Sequence, residues 1–215
     1  MNITLYHYAH CPFCVRVRMT LGALGLHYES VVIPYNDEKT PVSLSGKKML
    51  PIIKVGDTVQ NESLDIMAIL DKNGKFTIPE LVKSADFNEL NNLLNKLGSN
   101  VHSLAMPYWI WTPEFDENSR QYFQSKKDEK RGPFNDLVRK RKDFEVPLMK
   151  DLEEVEKNLK PFYNSSEFGL FDILLASHLW GLYVVPEFQF SPKLHSYLQK
   201  VKTLTHFDYH EDFWK

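Results

Sequence analysis

Hydrophobic and polar positions alternate over residues 2–6, Asn-Ile-Thr-Leu-Tyr, with a β-branched residue on each face, which predicts a strand. Pro12 then fits the first position of a helix, where a missing N–H costs nothing. Cys14, Val17, Leu21 and Leu24 recur at steps of three, four and three, one face of a helix ending near Gly25. Tyr28 to Ile33 reads as a second strand, stopped by Pro34. After a loop, Pro51 to Val55 and Thr58 to Asn61 flank Gly56-Asp57 as a hairpin. A helix from Ser63 to Lys72 follows, stopped by Asn73-Gly74. Strand, helix, strand, loop, hairpin and helix in this order describe a compact α/β unit.

Beyond Phe76-Thr77-Ile78-Pro79 the strand pattern fades. Phe87, Leu90, Leu94, Leu97, Val101 and Leu104 keep helical spacing over a long segment. Phe134 to Leu159 and Phe171 to Val184 are further helical candidates, with a short one from Pro192 to Lys202. The pattern divides the chain into an α/β domain over 1–75, a linker over 76–85 and an all-helical domain over 86–215. The charged stretch Ser125 to Arg131 reads as a solvated helix face. Met106 to Trp111, the most aromatic run, reads as core or inter-domain packing, or as an apolar wall of a cleft between the domains. The tail from His206 to Lys215 carries no assignable chemistry.

Charge narrows the class. With 26 basic and 28 acidic residues in 215, the net charge of −2 gives no global field to recruit nucleic acid or an anionic membrane. No apolar stretch is long enough to span a bilayer, and the first residues lack the pattern of a secretory signal. Only two cysteines occur, and they sit three apart. One closely spaced pair without a signal fits reducing cytosol, so a cytoplasmic location is expected.

The pair Cys11-Pro12-Phe13-Cys14 is the candidate chemistry. Cys11 falls at the predicted helix N-cap, where unpaired N–H groups and the macrodipole favour a thiolate. Cys14 continues the apolar stripe and should face inward. That asymmetry makes Cys11 the attacking sulfur and Cys14 the resolving one. Arg16 and Arg18 either add positive potential or stand as solvated helix arginines. A zinc site of His7, His10, Cys11 and Cys14 is the structural alternative, but four ligands within eight residues spanning strand, turn and helix converge poorly. No metal is therefore expected.

The strand, His10-Cys11-Pro12-Phe13-Cys14, Leu50-Pro51-Ile52 and Asn61-Glu62-Ser63-Leu64-Asp65-Ile66 together resemble a glutaredoxin-type thioredoxin fold. Joined to a helical domain, the layout is similar to the glutathione-transferase architecture. More narrowly, Tyr122-Phe123, Lys126-Lys127, Gly132, Phe134 and Leu137 are similar to the helical domain of the two-domain bacterial glutaredoxins of the glutaredoxin 2 type. The resemblance implies a glutathione-dependent thiol-disulfide oxidoreductase, a monomer acting on glutathionylated or disulfide-containing proteins. Glutathione would be its cosubstrate. It also implies that Pro51 is cis and that Leu50 offers its backbone to glutathione. Ser63, capping the following helix, would hold the γ-glutamyl carboxylate, and Glu62 the nearby ammonium. Lys47 or Lys48 would meet the glycyl carboxylate, or else stand as a solvated loop lysine. Gly169-Leu170-Phe171-Asp172 departs from the architecture's usual Ser or Thr three residues before Asp, so the reciprocal capping box is expected to be lost. A glutathione transferase and a metal- or iron–sulfur-binding glutaredoxin-like module remain as alternative readings.

Overall fold

The computed structural model of the protein describes residues 2–210 and 212; the last residues of the tail lie outside them. The N-terminal domain is thioredoxin-like. Strands β1 (Ile3–His7), β2 (Glu29–Val32), β3 (Ile52–Val55) and β4 (Thr58–Asn61) form one sheet in the order β2-β1-β3-β4. β1 pairs parallel with β2 and antiparallel with β3, and β3 and β4 make the expected hairpin. Helix α1 (Pro12–Ala23) crosses between the parallel strands. Helix α2 (Lys39–Ser45), in the segment expected as a loop, is started by Asp37, whose carboxylate accepts from the N–H groups of Lys39 and Thr40. Its sequence, Lys-Thr-Pro-Val-Ser-Leu-Ser, has no helical apolar period to betray it.

Helix α3 (Ser63–Leu70) corrects one expectation. Ser63 is its first residue and not its cap. Only Glu62 lies between β4 and α3, so the turn is made there, at φ 68°, and Glu62 takes the N-cap position. The helix also stops earlier than predicted. The Asp71 carboxylate folds the chain back by accepting from the N–H groups of Lys75 and Phe76, both at 2.8 Å.

A short helix α4 (Ile78–Leu81) falls in the predicted linker, and α5 (Ala85–Trp109) opens the helical domain as one long rod capped by Ser84. Helices α6 (Glu117–Arg131), α7 (Phe134–Arg139), α8 (Arg141–Lys157), α9 (Leu170–Leu179) and α10 (Pro192–Thr205) follow, with a 3-10 turn at Trp180–Val184. The single helix expected over 134–159 is thus two, broken at Lys140. The expected loss of the capping box at α9 is only half right. Gly169 supplies no side chain, but the buried Asp172 carboxylate still accepts from the Gly169 N–H at 2.8 Å. It also takes the Tyr163 N–H and the Tyr197 hydroxyl, both at 2.9 Å.

One apolar core runs through both domains, joining Leu5, Val17 and Leu21 to Ile66, Leu97, Leu175 and Leu198. Each such side chain contributes about 1.5–3 kcal/mol. Helix α1 lies inside this core and buries nearly every residue from Cys14 to Leu21. Arg16 and Arg18 are therefore not solvated. Arg18 reaches Asp212 at 2.6 Å, and Arg16 stacks its guanidinium over Phe13 at 4.6 Å. No helix among the described residues is long and apolar enough to cross a membrane.

Candidate active site

β1 ends at His7 and a short turn delivers Cys11 to the mouth of α1. Cys11 is the N-cap residue, with extended backbone, and its carbonyl accepts the first helical N–H groups, from Cys14 and Val15 at 2.9 Å. Both cysteines are free thiols; Cys11 is half-buried and Cys14 fully buried. The Tyr8 N–H points at Cys14 Sγ, 3.4 Å away. The two sulfurs titrate in opposite directions. A hydrogen bond from Cys14 holds the Cys11 thiol down, burial opposes it, and His10 with the N–H groups of Cys14 and Phe13 carries it down to about 6. Burial, then the bond to Cys11, pushes the Cys14 thiol up.

Sequence reasoning missed the acid beside this pair. Glu114, on the loop between α5 and α6, is buried, and its Oε1 meets His10 Nδ1 at 2.5 Å and accepts the His10 backbone N–H at 3.0 Å. Burial alone would raise its carboxyl, but the bond and charge of His10 outweigh that and leave it below the usual range. The His10 ring is enclosed by Tyr8, Tyr35, Trp109, Phe115 and Phe123, at 5.2–5.6 Å between centroids. Two residues of the aromatic run, Met106 and Trp109, thus pack the core and line the cleft at once, while Trp111 is exposed. His7 turns elsewhere, its Nε2 at 2.7 Å from Ser30 Oγ. The four zinc ligands weighed in the sequence do not converge, and no three His, Cys, Asp or Glu side chains among the described residues gather as a metal site.

Two hollows meet here. Phe13, Met49, Leu50, Pro51, Glu62 and Ser63 line a groove of about 250 Å³, and the Leu50–Pro51 peptide is cis. A larger cavity, about 460 Å³, shares Phe13, Met49 and Leu50 with it and contains Cys11. Lys48 lines the larger cavity and is absent from the groove. It is exposed, as a solvated loop lysine would be, but its Nζ donates to Glu38 at 2.9 Å and to Tyr122 on α6 at 2.8 Å. The stretch Ser125 to Arg131 is a largely exposed face of α6, as expected, and Lys127, Lys130 and Arg131 also form part of the cavity wall.

The family model of the glutaredoxin 2 C-terminal domain matches residues 89–212. The chain belongs to the glutaredoxin 2 family. A second model, the glutathione S-transferase N-terminal domain, matches residues 5–75. Glutaredoxin 2 of Escherichia coli strain K12 is 31% identical over 188 residues, covering 84% of this chain and 85% of that protein. The solved structure of glutaredoxin 2 from Salmonella typhimurium, in complex with glutathione, superposes with a TM-score of 0.85 at 26% identity over 98% of each chain. A glutathione transferase from Phanerochaete chrysosporium shares the fold at 16% identity and a TM-score of 0.77, covering 95% of this chain and 97% of its own. As a member of the glutaredoxin 2 family, the protein is a glutathione-dependent oxidoreductase.

Proposed function

We propose that this member of the glutaredoxin 2 family reduces glutathione mixed disulfides and protein disulfides through Cys11 and Cys14. The Cys11 thiolate attacks the glutathionyl sulfur of a mixed disulfide. The substrate's S–S bond breaks, its thiolate leaves with the electron pair, and Cys11 becomes glutathionylated. A second glutathione thiolate then attacks that sulfur, frees Cys11 and departs as oxidised glutathione. The incoming glutathione sulfur is oxidised by one electron and the substrate sulfur is reduced by one, while the glutathionyl sulfur passes from the mixed disulfide to oxidised glutathione at the disulfide level throughout. For a protein disulfide, Cys14 attacks the mixed disulfide on Cys11 instead, and the resulting Cys11–Cys14 disulfide is reduced by two glutathiones.

The observation that carries this reading is the unequal setting of the sulfurs: Cys11 half-buried and held low at a helix mouth, Cys14 buried and held high. The glutathionyl half is assigned to the groove of Leu50, Pro51, Glu62 and Ser63, with Glu62 for the ammonium and the first turn of α3 for the carboxylate. Lys48, near Cys11 but tied to Glu38, is assigned the glycyl carboxylate only if that tie opens. The same reading makes the enzyme a cytoplasmic monomer, acting on glutathionylated and disulfide-containing proteins, with its domain boundary at residues 76–85.

Turnover of hydroxyethyl–glutathione disulfide by wild type, Cys11→Ser and Cys14→Ser tests it. Cys11→Ser should abolish turnover while Cys14→Ser keeps it. Full activity in the Cys11 variant would overturn the assignment.

A further inference from the structure

The groove assigned to glutathione leaves the larger Cys11 cavity for the other half of the disulfide. A trough of about 450 Å³ continues that cavity, sharing Tyr8, Tyr35, Lys48, Leu50, Lys127 and Lys130 with it and reaching Lys126. The chain as a whole is slightly acidic, yet this wall concentrates cations. Lys126, Lys127, Lys130 and Arg131 make no ion pair among the described residues. Of the nearby acids, Glu114 is taken by His10 and Glu38 by Lys48 and Tyr122; Asp128, within the run, does not line the trough, and Glu129 is the one acid that does.

Three of the cations are also held in place. Lys127 sits over the Phe123 ring at 5.4 Å, Lys126 over Tyr122 at 5.8 Å, and Arg131 Nη1 is fixed by Ser99 O at 2.9 Å and Ser103 Oγ at 2.8 Å. Lys127 and Arg131 are half-buried and Lys126 and Lys130 exposed; burial, then repulsion from Lys130 and Arg131, lowers the Lys127 ammonium, and the charge of Cys11 only partly opposes this. An anion entering the trough would relieve that repulsion.

We propose that this face of α6 docks an acidic polypeptide segment next to the substrate's disulfide, so that the enzyme prefers protein substrates with Asp or Glu beside the reactive cysteine. Residues 126 to 131 span about 7.5 Å of helix axis. That is the reach of about two to three extended residues, so a short acidic run is the matching occupant. The inference rests on the function proposed above, with Cys11 attacking and the substrate thiolate leaving through the trough.

The test compares two glutathionylated peptides that differ only in Glu or Lys at the positions flanking the cysteine, with hydroxyethyl–glutathione disulfide as a neutral reference. Wild type should show kcat/KM about tenfold higher for the acidic peptide at low ionic strength, narrowing with salt. Lys127→Gln/Lys130→Gln should bring the two peptides to within about twofold, and Lys127→Arg/Lys130→Arg should restore the preference. Equal use of both peptides by wild type, or a preference unchanged by the glutamine variant, would overturn the docking site. Absence of turnover on the neutral disulfide would remove the proposed function and the docking site together. Turnover of it without charge preference would remove the docking site alone.

Discussion

Gly22→Ala sets two opposed effects against each other, and the geometry decides between them. Gly22 lies near the end of α1 against the last turn of α10. A Cβ at this position would stand 1.8 Å from the Thr205 carbonyl oxygen and 2.9 Å from its carbon. Both are backbone atoms, so no rotamer change relieves the overlap. Carbon and oxygen approach to about 3.3 Å at closest, so the two segments must part by about 1.5 Å. Alanine in an unobstructed helix gains at most about 1 kcal/mol over glycine. Overpacking costs about 1–3 kcal/mol, and parting α1 from α10 also forfeits dispersion contacts around Leu198 and Val201. The clash should win, with a net loss of about 2 kcal/mol. Urea unfolding followed by tryptophan fluorescence should show a lower midpoint at unchanged slope. A variant as stable as wild type, or more so, would refute the close approach.

Three further outcomes are expected. Alkylation of Cys11 by iodoacetamide should rise with pH to a midpoint near 6 and level off above it, because the thiolate is the nucleophile; in Cys14→Ala, without the hydrogen bond from Cys14, the midpoint should move up. Burial holds His7 down to about 4 and His102 and His178 to about 3, so between pH 6.5 and 4 the unfolded chain binds more protons than the folded one. Stability is then full above pH 6.5 and falls on acidification, by about 2–4 kcal/mol at pH 5.5; a flat urea midpoint from pH 7 to 5.5 would contradict this. Asp172→Ala leaves the Tyr163 and Gly169 N–H groups and the Tyr197 hydroxyl without their acceptor. It should cost about 3–5 kcal/mol in the same assay.

The inequality of the cysteines was legible because it follows from local rules, a proline at the first helical turn and a three-four-three apolar stripe. The same stripe misled at Arg16 and Arg18. It presumes one buried face, whereas α1 is packed by α3 of its own domain and by α9 and α10 of the other. Ser63 was misplaced by one position because the length of the β4–α3 turn depends on backbone geometry at Glu62, where no glycine marks the positive φ. Helix α2 has no apolar period to read. Glu114 was invisible for another reason. Its partner is 104 residues away, and nothing in Thr112-Pro113-Glu114-Phe115 distinguishes a buried acid from a loop carboxylate.

That long-range pair makes the surroundings of Cys11 the joint property of two domains. The cysteines, His10 and Tyr8 come from the first, but Glu114, Trp109, Phe115 and Phe123, which hold and enclose His10, come from the second. A fragment cut at residue 75 would carry the whole motif and lose the carboxylate that fixes its histidine. Cys-Pro-Phe-Cys in this protein is not a portable cassette: the histidine beside it is held, by ring and by backbone, by one carboxylate of the other domain.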